Sequence, residues 1–131
     1  MTGPSDASRS VYVTFQNFTN NTLSRTSESL DHGIWSTDLY PQQTINPGTP
    51  QQPTSINFAA ESQGFMTGVE GRATYLLPDG KTTVELYLNN PYSGSNGYKI
   101  TVNGPESGHF NGSYNGGGGD NANITYTLKS N

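Results

Sequence analysis

Two histidines, His32 and His109, and no cysteine are all that this 131-residue chain offers for imidazole or thiolate chemistry. Asp31 precedes His32 in "LDHG", but neighbours along a chain rarely face one another, and no Gly-x-Ser-x-Gly turn supplies a nucleophile. Carboxylates are the remaining catalytic currency: Glu61, Glu70, Asp79, Glu85 and Asp120. Asp79 belongs to the turn "PDGK", which explains it. Glu85 alternates out of phase with Val84, Leu86 and Leu88, so it faces solvent. Glu70 is the odd one. It lies in "SQGFMTGVEG", residues 62–71, where Gly64, Gly68 and Gly71 mark a loop. There it serves either as an acceptor for loop N–H groups or as a ligand contact. "GGGGD", 116–120, lacks the Lys-Ser/Thr and the helix of a phosphate loop. It reads as a mobile hairpin connection. No His/Asp/Glu set has metal-ligand spacing. Neither a catalytic set, nor a cofactor, nor a metal is expected.

What loops do carry is aromatic and apolar side chains. Trp35 follows "DHGI", Phe65 and Met66 sit inside the glycine-rich stretch, and Tyr92 and Tyr98 flank "SGSNG". Inward packing is the ordinary fate of such residues, and at least one of Phe65 and Met66 is expected to take it. As a set, beside Gly- and Ser-rich loops with little apolar surface, they suit a membrane interface or a ligand cleft.

The elements that must position them are strands. "SVYVTFQ" puts Val11, Val13 and Phe15 on one face. "LSRTSESL" reads as a polar strand ending at Leu30. Pro41, Pro47, Pro50 and Pro53 then forbid a helix, leaving a short strand around Thr44 to Ile45. "SINFAAE" alternates, "RATYLL" and "TTVELYLN" flank the PDGK turn as a hairpin, and "YKITVN", "HFNGSY" and "NITYTL" complete the set. Helical periodicity is absent throughout. The reading is all-β: a single-domain antiparallel β-sandwich over residues 1–131, with residues 1–9 flexible.

Charge narrows the partners. Only 12% of residues are charged, the net charge is -4, and the six Lys and Arg are scattered. No basic stripe exists for nucleic acid or for anionic lipid. "MTGPSDASRS" has no apolar segment of a signal peptide, which leaves the cytoplasm, an inclusion or a non-classical export route.

Between Leu30 and Tyr98 the order of features resembles the aegerolysins, small acidic β-sandwich proteins. The carriers are "GIW" at Trp35, "INPG" at 45–48, "GVEG" at 68–71, "PDGK" at 78–81 and "LYLNNPYSGSN" at 86–96. The family's Cys-Pro-Trp-Gly motif is altered: Asn90 stands for its Cys and Tyr92 for its Trp. The resemblance implies a sandwich that binds a membrane lipid, commonly a sphingolipid, through loops at one end. It also implies a larger partner protein that forms the pore. Trp35, Phe65, Met66, Tyr92 and Tyr98 would be the contacts, with Glu70 taking a polar head group. A carbohydrate-binding lectin is the main rival, because the same aromatics can stack on sugars while Asn and Asp bind hydroxyls. A structural or inhibitory protein is a third class, and an enzyme the last.

Overall fold

The computed structural model describes residues 7–131. Its strands are β1 (Ser10–Asn17), β2 (Leu23–His32), β3 (Ile34–Trp35), β4 (Thr44–Ile45), β5 (Thr54–Glu61), β6 (Val69–Leu76), β7 (Thr83–Asn90), β8 (Gly97–Asn103), β9 (Phe110–Gly116) and β10 (Asn121–Ser130). A 3-10 turn, Ser107–His109, precedes β9. They form two five-stranded sheets, ordered β3-β5-β1-β10-β9 and β4-β2-β6-β7-β8. The all-β sandwich expected from the alternation is the fold observed.

Alternation explains which faces meet. Val11, Val13, Phe15, Phe58, Ile124, Tyr126 and Leu128 point inward from the first sheet; Leu23, Ala73, Tyr75, Val84, Leu86 and Leu88 answer from the second. All are buried, and each large apolar side chain so removed from water stabilises the fold by about 1.5–3 kcal/mol. The PDGK turn closes through Asp79, whose Oδ1 accepts the N–H groups of Lys81 and Thr82 and whose Oδ2 accepts the Thr82 hydroxyl. Those bonds hold its carboxyl below the usual carboxylate range.

Three features depart from the sequence reading. β1 and β10 pair in parallel, so the sandwich is antiparallel in all its other strand pairs. β3 is an extra strand that adds an edge beside β5. Glu70 lies inside β6, opposite Asn89 of β7 and His32 of β2, not in a loop. The register slips by one residue between Leu30 and His32, a bulge at Asp31.

The sides of the sandwich are covered. Ile100 of β8 lies against Gly112 of β9 on one side. On the other, Trp35 packs on Phe58 and Tyr40, and its Nε1–H donates to Glu28 of β2 at 2.7 Å. The ends carry the connections. The β5–β6, β7–β8 and β9–β10 loops share one end with the start of β1, because Ser10 pairs with Glu61 and with Asn121 while Val69 pairs with Asn90.

Candidate functional site

This loop end gathers four of the six residues singled out in the sequence: Met66, Glu70 and Tyr92 line one cleft, and Phe65 lines the hollow next to it. A cavity of about 370 Å³ is lined by His32, Met66, Gly68, Glu70, Asn89 and Tyr92, among others. A second hollow of about 320 Å³ lies on the other side of Met66 and Tyr92, toward Phe65 and Ser62. Met66 and Tyr92 therefore form a ridge between two depressions.

Neither Phe65 nor Met66 folds inward, contrary to expectation. Phe65 is 89% exposed and Met66 55%. The core beneath is already filled from both sheets, and the loop is braced in an outward form. The Thr67 hydroxyl bonds the carbonyls of Gln63 (2.8 Å) and Gly64 (3.1 Å). Met66 itself has φ 57°, a left-handed conformation uncommon for a side chain of its size. Gly68 then brings the loop against the β7–β8 connection. A Cβ there would stand 2.8 Å from the Asn90 carbonyl oxygen and the Tyr92 nitrogen, so only glycine permits the approach.

Glu70 forms the floor. The Tyr87 hydroxyl donates to its Oε2 at 2.5 Å, and the His32 Nε2 stands 3.9 Å from its Oε1. The Asp31 bulge separates the two neighbours of "LDHG": Asp31 turns to the Arg72 guanidinium at 3.5 Å and His32 turns to Glu70. The Glu70 carboxylate raises the Tyr87 hydroxyl above its ordinary pKa, mainly through their hydrogen bond. Glu70 keeps 28% of its side chain exposed, so it remains available to a ligand from the cleft.

The remaining two residues sit elsewhere. Trp35 is half-buried on the sandwich side, its ring and its N–H both engaged within the protein. Tyr98 lies in a separate cleft between the β7–β8 and β9–β10 loops, its hydroxyl donating to the Gly117 carbonyl at 2.8 Å. Burial pushes that hydroxyl up to about 12.

Two residues that hold the site escape a reading of the sequence. Arg9 falls in the stretch expected to be flexible; residues 1–6 lie outside the described residues, but Arg9 is firmly tied. Its Nε and Nη2 donate to the carbonyls of Pro91 (3.3 Å) and Tyr92 (2.7 Å). The guanidinium lies 4.7 Å from the Tyr92 ring centroid, and its Nε 3.6 Å from Asp120. Asn90 is buried, and its Nδ2 donates to the carbonyls of Ser10, Gly119 and Asp120. Its signal is present in the sequence: Asn90 continues the inward parity of Val84, Leu86 and Leu88, and a buried amide needs partners.

Chemically, the cleft offers one carboxylate, an imidazole beside it and an apolar aromatic rim. Among the described residues no three His, Cys, Asp or Glu side chains gather where a metal ion could sit. The arrangement suits a ligand with a hydrogen-bond-donating or cationic head and an apolar body.

Comparison with known proteins agrees with this architecture. No curated protein matches the sequence significantly. Among solved structures, the crystal structure of the lipid-binding protein Nakanori superimposes with a TM-score of 0.77. The match is at 16% identity and covers 94% of this chain and 71% of that one. The family model described as Aegerolysin matches residues 9–130, from the Arg9 anchor to the last residue of β10, and the chain belongs to the aegerolysin family.

Proposed function

We propose that this chain is a lipid-recognition module that reads a sphingolipid-type head group at its loop end. One observation carries the reading: two large apolar side chains, Phe65 and Met66, are held outward beside a cleft floored by Glu70. Exposed apolar groups next to a recessed polar acceptor match the layering of a bilayer, with acyl chains beneath a polar head. Phe65, Met66 and Tyr92 enter the interface; Glu70 accepts from an amide, hydroxyl or ammonium group of the lipid. Trp35 supports the sandwich side. Membership of the aegerolysin family supports the same reading, as does the lipid binding of Nakanori, which shares the fold.

The role in membrane damage is that of a targeting component, with a larger pore-forming protein supplying the barrel. Both sheets are spent on the core, and among the described residues no helix is long and apolar enough to cross a membrane. A binding protein without an enzymatic step fits the site, in which Glu70 is the one acid among the lining residues and already accepts the Tyr87 hydroxyl.

The test is co-sedimentation with neutral vesicles of phosphatidylcholine and cholesterol, with and without a sphingolipid. Binding is expected only where sphingolipid is present, and Glu70→Gln weakens it while Phe65→Ala weakens it further. Equal sedimentation with both vesicle types would remove sphingolipid as the ligand, and none with either would remove the reading.

A further inference from the structure

The glycine-rich stretch 116–120 and Tyr98 take no part in the cleft around Glu70. They build a second one, of about 530 Å³, with Tyr114, Asn96 and Asp120 on its walls. We propose that this second cleft is a binding subsite for a neutral hexopyranose.

The floor is built, not loose. Asn96 Nδ2 donates to the carbonyls of Gly117 (2.8 Å) and Gly119 (3.0 Å), Tyr98 donates to Gly117, and the Gly117 N–H donates to Asn123. Asn90 holds Gly119 and Asp120 from the core side. A loop whose composition suggests a mobile connection is therefore fixed from below. Its upper surface is bare backbone, since a Cβ on Gly118 would meet nothing within 4 Å. The open space above Gly118 leaves room for a ring-shaped ligand to approach the wall.

That wall is aromatic. Tyr114 is 50% exposed, and its ring centroid lies 6.0 Å from that of Tyr98 and 6.4 Å from that of Tyr126. Packing on those two rings fixes its orientation. Tyr98 and Tyr114 touch one another, so no slot opens between them to cage a quaternary ammonium; what remains is a single outward ring face. Such a face stacks on the C–H side of a sugar ring.

The polar group at the mouth is Asp120. Its side chain is 71% exposed, and among the described residues its carboxylate meets the Arg9 Nε at 3.6 Å and accepts no hydrogen bond. A carboxylate with free lone pairs accepts two adjacent hydroxyls through charge-assisted bonds. It also repels phosphate, sulfate and sialic acid, as does the net charge of -4, which selects a neutral sugar. The chemistry is the same whether the sugar arrives free, on a glycan or as the head of a glycolipid. The subsite stands independently of the Glu70 reading, because the two clefts share no lining residue.

The full chain, labelled with nitrogen-15, is titrated with methyl glycosides of glucose, galactose, mannose and N-acetylglucosamine, and amide shifts are followed. A parallel arm measures binding to phosphatidylcholine–cholesterol vesicles with and without a neutral monoglycosylceramide. Expected are saturable shifts confined to Asn96 and 116–120 for at least one sugar. Tyr114→Ala should weaken them about tenfold, as loss of a stacked ring implies. Gly118→Leu, which fills the mouth without removing a contact, should abolish them; the native spectrum of each variant reports its folding. Shifts with free sugar and no vesicle gain assign a glycan. A vesicle gain lost in Gly118→Leu assigns a glycolipid. Neither response, or shifts that persist in Gly118→Leu, overturns the proposal.

Discussion

Phe65 and Trp35 separate the binding role proposed for an exposed side chain from the folding role of a packed one. Phe65 is almost wholly in water, so its removal takes nothing from the core. Phe65→Ala should change stability by no more than an ordinary surface substitution does, about ±0.5 kcal/mol. Its transfer into a bilayer is worth about 1.5–3 kcal/mol, so vesicle affinity should fall by roughly 10–100-fold. Trp35→Phe should behave in the opposite way. It keeps the ring contact with Phe58 but strands the Glu28 carboxylate oxygen that accepted the indole N–H. The loss is about 1 kcal/mol of stability, with vesicle affinity unchanged. Thermal melts and vesicle co-sedimentation on both variants check this. A drop in vesicle affinity for Trp35→Phe at unchanged stability would return Trp35 to the contact surface.

At the scale of elements, the site depends on how the chain passes from one sheet to the other. β2 ends at His32 in one sheet and β3 begins at Ile34 in the other, so Gly33 alone makes the crossing. It does so at φ +96°, where a Cβ would stand 2.7 Å from the Glu61 carbonyl oxygen. Gly33→Ala should destabilise the fold by about 1–3 kcal/mol. It should also displace His32 from Glu70, so vesicle binding falls even at temperatures where the variant is folded. Chemical denaturation together with co-sedimentation reads both effects. An unchanged denaturation midpoint would mean that the crossing relaxes without strain.

These same elements show what the residues disclose before folding. Alternation suffices for β1, β7 and β10, because each carries a sustained period of more and less buried positions. A two-residue strand such as β3 has no period to read. Pairing of β1 with β10 joins the two ends of the chain in parallel, and no local pattern encodes a partner more than a hundred residues away. Glu70 reads as a loop residue because glycines surround it, yet Gly68 serves close packing and Gly71 sits within β6. Phe65, Met66, Glu70 and Tyr92 are legible as a group from residue type. That Tyr98 faces a different cleft, and that Arg9 anchors Tyr92, depends on tertiary contacts alone.

Across the whole molecule, tyrosine hydroxyls tie parts of the sandwich that no disulfide can tie in this cysteine-free chain. Tyr126 of the first sheet donates to the Tyr87 carbonyl of the second. Tyr98 of the second sheet donates to Gly117, which follows β9 of the first. Tyr75 donates at 2.6 Å to Gln42, in the connection that carries the chain from β3 to β4. Each of these bonds requires the protonated phenol. Burial raises all three above the ordinary value of 10.0, Tyr98 to about 12 and the other two further. The unfolded chain therefore releases these protons at lower pH than the folded one. Where the unfolded state holds fewer protons, stability falls as pH rises. The contribution of these groups is complete below about pH 10 and is lost progressively as pH climbs through 12 and beyond. A steep decline in melting temperature above pH 10 is expected, with the sheet dichroism and the late part of the tyrosinate absorbance changing together. Tyr126→Phe should shrink the alkaline decline while lowering stability at neutral pH by about 1 kcal/mol, because the Tyr87 carbonyl loses its donor. Full tyrosinate absorbance with the sheets intact would show that the phenols reach water without unfolding, and would remove them as ties between the sheets.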